Sequence, residues 1–262
     1  MEKGYQKVAL GQIHFISAGT TGPKIVLLHE SPLSSRVFEK SIPVLSQWSQ
    51  VFAPDTPGYG NSDPLFKDAG LDEYASVLGA AIKNWAGKEK VLICGIHTGA
   101  SLAIEIGNQF PKICLGLFLI GVPVYSDQDR ADRIANWCPD IEIQSGGEHL
   151  MWTWNRYVNI WPTAPLLDRN MAVIEMLRVW DRYNWGYQQA FKFDAVNRIK
   201  TLSCPIRIAA AENEFLFSGS KNLAIDLNEV FTTFLGLDGQ VPLRDPELFS
   251  TELKAFLKTI LR

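Results

Sequence analysis

Hydrophobic residues along this chain fall into two alternating kinds of pattern. Short unbroken runs, such as Ile25-Val26-Leu27-Leu28 and residues 114–122, have the length and composition of strands buried on both faces. Sets spaced three and four apart, such as Leu71, Tyr74, Ala75, Leu78, Ala81 and Ile82, trace one face of a helix. In chain order the pattern predicts strands over 7–10 and 12–18, a turn at Gly19-Thr20-Thr21-Gly22-Pro23, a strand over 24–29, a helix from about Ser35, a strand over 50–54 and a helix over 71–85. A strand over 91–96 then runs straight into a helix over 98–110, which Pro111 ends, and the strand over 114–122 follows. Strands alternating with helices imply crossover units and an α/β class fold, a mostly parallel sheet covered on both faces.

Residues 124–200 break that rhythm. They are mainly helical by pattern and hold Trp137, Trp152, Trp154, Trp161, Trp180 and Trp185, six of the eight tryptophans. The alternation then resumes with a strand over 205–211, a helix within 218–227, a strand over 230–235 and a closing helix over 246–261. We therefore expect a core built from 1–123 and 201–262, with 124–200 as a helical lid.

Composition narrows the function classes. With 262 residues, 47% hydrophobic and 20% charged, the chain can bury a large core, and one domain with an insertion suits it better than two. A net charge of −3 offers no long basic face for nucleic acid, and no apolar run reaches the ~18 residues of a membrane span. Met1-Glu2-Lys3-Gly4 lacks the pattern of a secretory signal, and Cys94, Cys114, Cys138 and Cys204 are scattered, without disulfide or zinc spacing. The expectation is a cytoplasmic protein with a small-molecule substrate and no nucleic-acid or membrane partner, a homodimer being admissible. Four histidines in distant segments give no metal-ligand spacing, and no phosphate loop or dinucleotide fingerprint is present, so neither metal nor cofactor is expected.

The chemistry concentrates at Gly95-Ile96-His97-Thr98-Gly99, where strand turns into helix. Such a turn is sharp, and small residues on either side let one side chain project above the sheet edge. Here that side chain is an imidazole. Three further motifs fall in order around it: His29-Glu30-Ser31-Pro32 after the third strand, Asp55-Thr56-Pro57-Gly58-Tyr59-Gly60-Asn61-Ser62 after the fourth, and a strand over 205–211 ending in Ala211-Glu212-Asn213-Glu214. Together they resemble the α/β-hydrolase superfamily over nearly all 262 residues. The resemblance implies an α/β-hydrolase fold with 124–200 as a helical cap, His97 at the nucleophile position of a GxSxG elbow, Glu214 as the acid, and the backbone N–H groups of Ser31 and Thr98 as an oxyanion hole. The chain departs from the family at four places: His97 replaces the serine, position 240, where the catalytic histidine is expected, is glutamine, Glu30 follows His29 where the family often has glycine, and Glu214 ends a segment where the family more often shows GxxD.

A serine nucleophile needs an adjacent base and an orienting carboxylate, and two of those three links are gone. Imidazole reaches farther than a hydroxymethyl group, so His97 is expected to contact Glu214 directly and, titrating near ~6.5, to act as a general base. The helix N-terminus favours the neutral ring and Glu214 the charged one, a balance the sequence leaves open. Glu30 is expected to point outward into solvent, the alternative being a protonated carboxyl that donates to the substrate. His149 is a candidate replacement base if the lid folds over the site, while His14 is structural. Gln240, Trp152, Trp154, Tyr157 and Trp185 are expected to line a mainly apolar pocket suited to a small lipophilic or aromatic carbonyl compound. Three readings stand: a hydrolase of an ester, lactone or carbon–carbon bond; a lyase, decarboxylase, cyclase or isomerase in which His97 moves a substrate proton directly; and a catalytically inactive small-molecule-binding protein.

Overall fold

The strands form where the apolar runs lie. In the computed structural model, which describes residues 1–261, they are β1 (Glu2–Val8), β2 (Gly11–Ala18), β3 (Lys24–Leu28), β4 (Gln50–Pro54), β5 (Val91–Ile96), β6 (Cys114–Ile120), β7 (Ile206–Ala211) and β8 (Phe231–Phe234). They make one sheet in the order β1-β2-β4-β3-β5-β6-β7-β8. β1 and β2 are an antiparallel hairpin and β2 runs antiparallel to β4, but every pairing from β4 across to β8 is parallel. The first strand lies earlier than the 7–10 expected: Ala9-Leu10 is the hairpin turn that sets Val8 opposite Gly11. Its polar, largely exposed residues carry no apolar run to mark an edge strand.

The helices are α1 (Ser41–Leu45), α2 (Leu71–Ala86), α3 (Thr98–Gln109), α4 (Asp127–Asp132), α5 (Glu148–Ile160), α6 (Leu166–Arg178), α7 (Trp185–Lys192), α8 (Ala195–Ile199), α9 (Phe217–Asp226), α10 (Val241–Arg244) and α11 (Pro246–Ile260). In place of one helix from Ser35 there is a 3-10 turn over Ser35–Phe38 and then α1. Pro43 sits in the first turn of α1, where its missing N–H costs nothing; in a helix running on from Ser35 it would stand in the interior and break the ladder. α4 to α8 all lie between β6 and β7, and α4 continues as a π turn over Arg133–Trp137.

Successive residues of each strand point to opposite faces, and the core divides accordingly. Ile25 and Leu27 of β3 join a cluster with Val51, Leu92, Cys94, Phe118 and α11, whereas Val26 and Leu28 join one with Phe52, Ile93, Leu119, α2 and α3. The first cluster also contains Tyr157, Trp161, Met176 and Tyr183, so the helices between β6 and β7 pack onto the same apolar core as one sheet face. Cys114 and Cys204 bring their sulfurs to 3.4 Å, both as free thiols. Among the described residues no helix is long and apolar enough to cross a membrane.

The turn after β4 is built round one buried carboxylate. Asp55 accepts from the backbone N–H groups of Ser35 (2.7 Å) and Asn61 (2.9 Å) and stands 2.7 Å from His14 Nδ1. These partners hold the carboxyl below its ordinary range against the opposing effect of burial. His14 thus has a structural role, and Ser62 donates to the Asp55 carbonyl within the same turn.

Candidate active site

In an open parallel sheet the loops at the carboxyl ends of the strands form a common crevice. Four of them meet here: β3 delivers Glu30, β5 delivers His97, β6 delivers Gly121 and β7 delivers Glu214. His97 has φ 49° and ψ −112°, a left-side conformation that costs a non-glycine residue on the order of 1–3 kcal/mol. The flanking glycines make the turn sterically feasible. A Cβ at Gly95 would lie 2.1 Å from the carbonyl oxygen of Gly99, and one at Gly99 would lie 2.2 Å from that of Leu28.

The imidazole is gripped from both sides. Its Nε2–H donates to Glu214 Oε2 at 3.1 Å, and Nδ1 lies 2.6 Å from Glu30 Oε2. The second contact is close but off the line of the Nδ1–H bond, so Oε2 of Glu30 gains charge proximity without a well-directed hydrogen bond. The expectation of a solvated Glu30 is thereby overturned: the side chain is buried and turned inward. Its backbone explains the direction, because the Glu30 carbonyl accepts from the Leu33 N–H and sits 2.9 Å from His29 Nδ1, while Ser31 N–H is bound to Thr98. His29 is a neutral ring: burial lowers its pKa, Nε2 accepts from Thr56 N–H at 2.8 Å, and Nδ1–H is left to donate to the Glu30 carbonyl.

Two carboxylates reverse the protonation expected of His97. Burial alone would lower its pKa, but the charges of Glu30 and then Glu214, with the hydrogen bond to Glu214, outweigh burial and raise it to about 10. At neutral pH the ring is an imidazolium rather than a base titrating near 6.5. Gly121 makes the meeting of ring and acid possible. Its φ is +60°, and a Cβ there would fall 2.4 Å from His97 Cδ2 and 2.7 Å from Glu214 Oε1.

The two N–H groups expected to form an oxyanion hole are not both free. Ser31 N–H donates to Thr98 Oγ1 at 2.7 Å, so one of the two expected donors is already engaged by the protein's own hydroxyl. Thr98 N–H, at the first position of α3, has no partner within the helix. It remains the donor at this end of the cavity.

The cavity is lined by Glu30, His97, Thr98 and Glu214 on the polar side and by Tyr125, Trp137, Trp161, Tyr187, Phe191 and Phe215 on the aromatic side. The space among these walls, with the solvent at its mouth included, is about 550 Å³. None of Gln240, Trp152, Trp154, Tyr157 and Trp185, expected to line it, does so. Gln240 is buried beside the site with both amide atoms unpartnered, and Tyr157 is buried in the core against Trp161. Trp152 faces a separate cleft, Trp154 lies beside Arg169, and Trp185 is half-buried elsewhere. His149 is also outside: its Nδ1 accepts from Gln144 N–H at 3.3 Å and its ring packs on Trp180. The signal for the true lining was local, since Phe215 follows Glu214 directly and Gly121-Val122-Pro123 follows β6. Among the described residues no group of three or more His, Cys, Asp or Glu is arranged to hold a metal.

No family model matches the chain. A haloalkane dehalogenase of Mesorhizobium japonicum is 29% identical over 103 residues, 39% of this chain and 33% of that protein. A pimeloyl-[acyl-carrier protein] methyl ester esterase of Nitrosomonas europaea is 28% identical over 111 residues, 42% of this chain and 41% of that protein. These matches thus span between a third and about two-fifths of the relatives' own length. A thermophilic esterase from Thermogutta terrifontis superposes with a TM-score of 0.77 at 16% identity, over 99% of each chain. At that identity the likeness bears on fold alone.

Proposed function

We propose, from the α/β-hydrolase fold that this chain shares with its structural neighbours, that it is a hydrolase cleaving a bond next to a carbonyl in a small lipophilic or aromatic compound: an ester, a lactone or a carbon–carbon bond. The observation that carries the reading is the array of Glu30, His97 and Glu214 on the wall of an aromatic cavity at the carboxyl ends of the strands, a cavity that residues between β6 and β7 help to line. An imidazolium cannot accept a proton, so the base is Glu30, and His97 is the counter-cation that lets two carboxylates share a buried site. For an ester, the water oxygen bonds to the carbonyl carbon while one water proton passes to Glu30. Thr98 N–H donates to the developing oxyanion. As the carbon–oxygen bond of the tetrahedral species breaks, Glu30 returns that proton to the leaving oxygen, giving acid and alcohol. No acyl-enzyme is involved.

A panel of aryl esters and lactones, followed as pH–rate profiles, tests the reading. Turnover is expected to be lost in Glu30→Gln and to decline as pH passes about 10, where His97 gives up its proton. A profile that instead climbs up to about 10, with Glu30→Gln active, returns the base role to His97. Absence of turnover on the whole panel, alongside saturable ligand binding, makes the chain a silent receptor.

A further inference from the structure

Two arginines lie against the aromatic wall of the cavity, and among the described residues neither has a carboxylate partner. The guanidinium carbon of Arg133 is 4.7 Å from the Trp137 ring centre, 5.3 Å from Phe215 and 5.8 Å from Tyr125, and all three rings line the cavity. Arg156 backs Trp137 at 4.8 Å and Tyr187 at 5.4 Å; its Nη1 donates to the Trp137 carbonyl, and its Nε and Nη2 are buried without partners. Other arginines nearby are paired: Arg130 with Asp194, Arg178 with Glu175, Arg198 with Glu105. Asp129, one turn before Arg133, is spent on the hydroxyl and backbone N–H of Ser126.

Stacking on ring faces holds a guanidinium in place but uses none of its five N–H donors, whose fork matches a carboxylate. The buried nitrogens of Arg156 cannot be reached by a ligand, whereas Arg133, not itself one of the lining residues, is half-buried against three lining rings, and we take this as the rim of the cavity. Phe215 joins the rim to the floor, 5.3 Å from Arg133 and 6.2 Å from the His97 ring. The floor sets two carboxyl groups against one imidazole ring and offers no unpaired cation to an anionic head. The rim attracts it. We propose that Arg133 anchors a carboxylate of the substrate, so that the substrate class is a lipophilic or aromatic ester or lactone with an anionic group remote from the scissile carbonyl. The proposal rests on the hydrolase reading for the word ester, but not for the anion.

The test compares the 4-nitrophenyl monoester of adipic acid with the 4-nitrophenyl ester of hexanoic acid, which differ by a terminal carboxylate. The wild type is expected to prefer the anionic ester in kcat/KM. Arg133→Gln should lower the ratio of the two constants about tenfold, through KM, and Arg133→Lys should give an intermediate ratio. No preference in the wild type, or an unchanged ratio in Arg133→Gln, overturns the proposal. If neither ester is turned over, the ester reading fails on its own. The anion is then tested by tryptophan fluorescence titration with adipic acid monoamide against hexanamide: tighter binding of the monoamide, lost in Arg133→Gln, supports the anchor, and equal binding refutes it.

Discussion

Replacing His97 by glutamine isolates the largest electrostatic contribution in the site. The folded-state pKa of the ring is about 10 against 6.5 for the free side chain, so the folded protein keeps a proton that the unfolded chain gives up. A raised pKa stabilises fully at pH below the unfolded value, and that stabilisation is lost as pH climbs through the folded value. Between the two the slope is about 1.4 kcal/mol per pH unit, and the full span is worth on the order of 5 kcal/mol. The ring is only 15% exposed, so solvent screening is slight. The comparison is read at alkaline pH, between the unfolded and folded values of the ring. Urea unfolding of both proteins at steps from about pH 8 to about pH 10 gives the difference in unfolding free energy. That difference should shrink by on the order of 2 kcal/mol over the interval, while titrations common to both proteins cancel. A flat difference, constant within about 0.5 kcal/mol, would refute the doubly paired imidazolium.

Gly121→Ala should cost activity and stability together, because its Cβ would fall 2.4 Å from His97 Cδ2 at a φ of +60°. The left-handed backbone alone costs about 1–2 kcal/mol, and the thermal midpoint should drop accordingly. Thr98→Ala removes the hydroxyl that engages Ser31 N–H at 2.7 Å; the freed donor should raise kcat on esters if it reaches the oxyanion, at about 1–3 kcal/mol of folding stability measured by denaturant. In Asp55→Asn one oxygen becomes a donor facing the N–H groups that Asp55 accepts, so a stability loss of about 2–4 kcal/mol is expected, with any surviving kcat little changed. Circular dichroism melts beside steady-state rates separate the two effects.

The sheet was legible because buried parallel strands are continuous apolar runs, and the elbow because only glycines fit at 95 and 99. Glu214 was legible from its place just after β7. Glu30 was not, since its inward turn is set by side chains that meet it only in the fold: the Thr98 hydroxyl on Ser31 N–H and the His29 ring at its carbonyl. That misplacement carried the protonation of His97 with it, for one carboxylate left the balance open and two decide it. The aromatic lining was misassigned for a geometric reason. Helical spacing says which residues of α5 share a face, but not which face meets the cavity; Trp152 and Trp154 flank the core-facing Thr153 and Tyr157 and look elsewhere.

The apolar cluster that unites the sheet face with α5 to α7 also sets what a displacement of the helical segment would cost. A swing of the whole helical segment would tear open a continuous core holding Tyr157, Trp161 and Met176. By contrast, α4 and the π turn after it contain no buried residue, and Phe215 beneath them is 49% exposed. Residues 127–137 are thus the stretch of the enclosure whose displacement would expose least of that core, and Trp137 and Arg133, stacked at 4.7 Å, would move together with it.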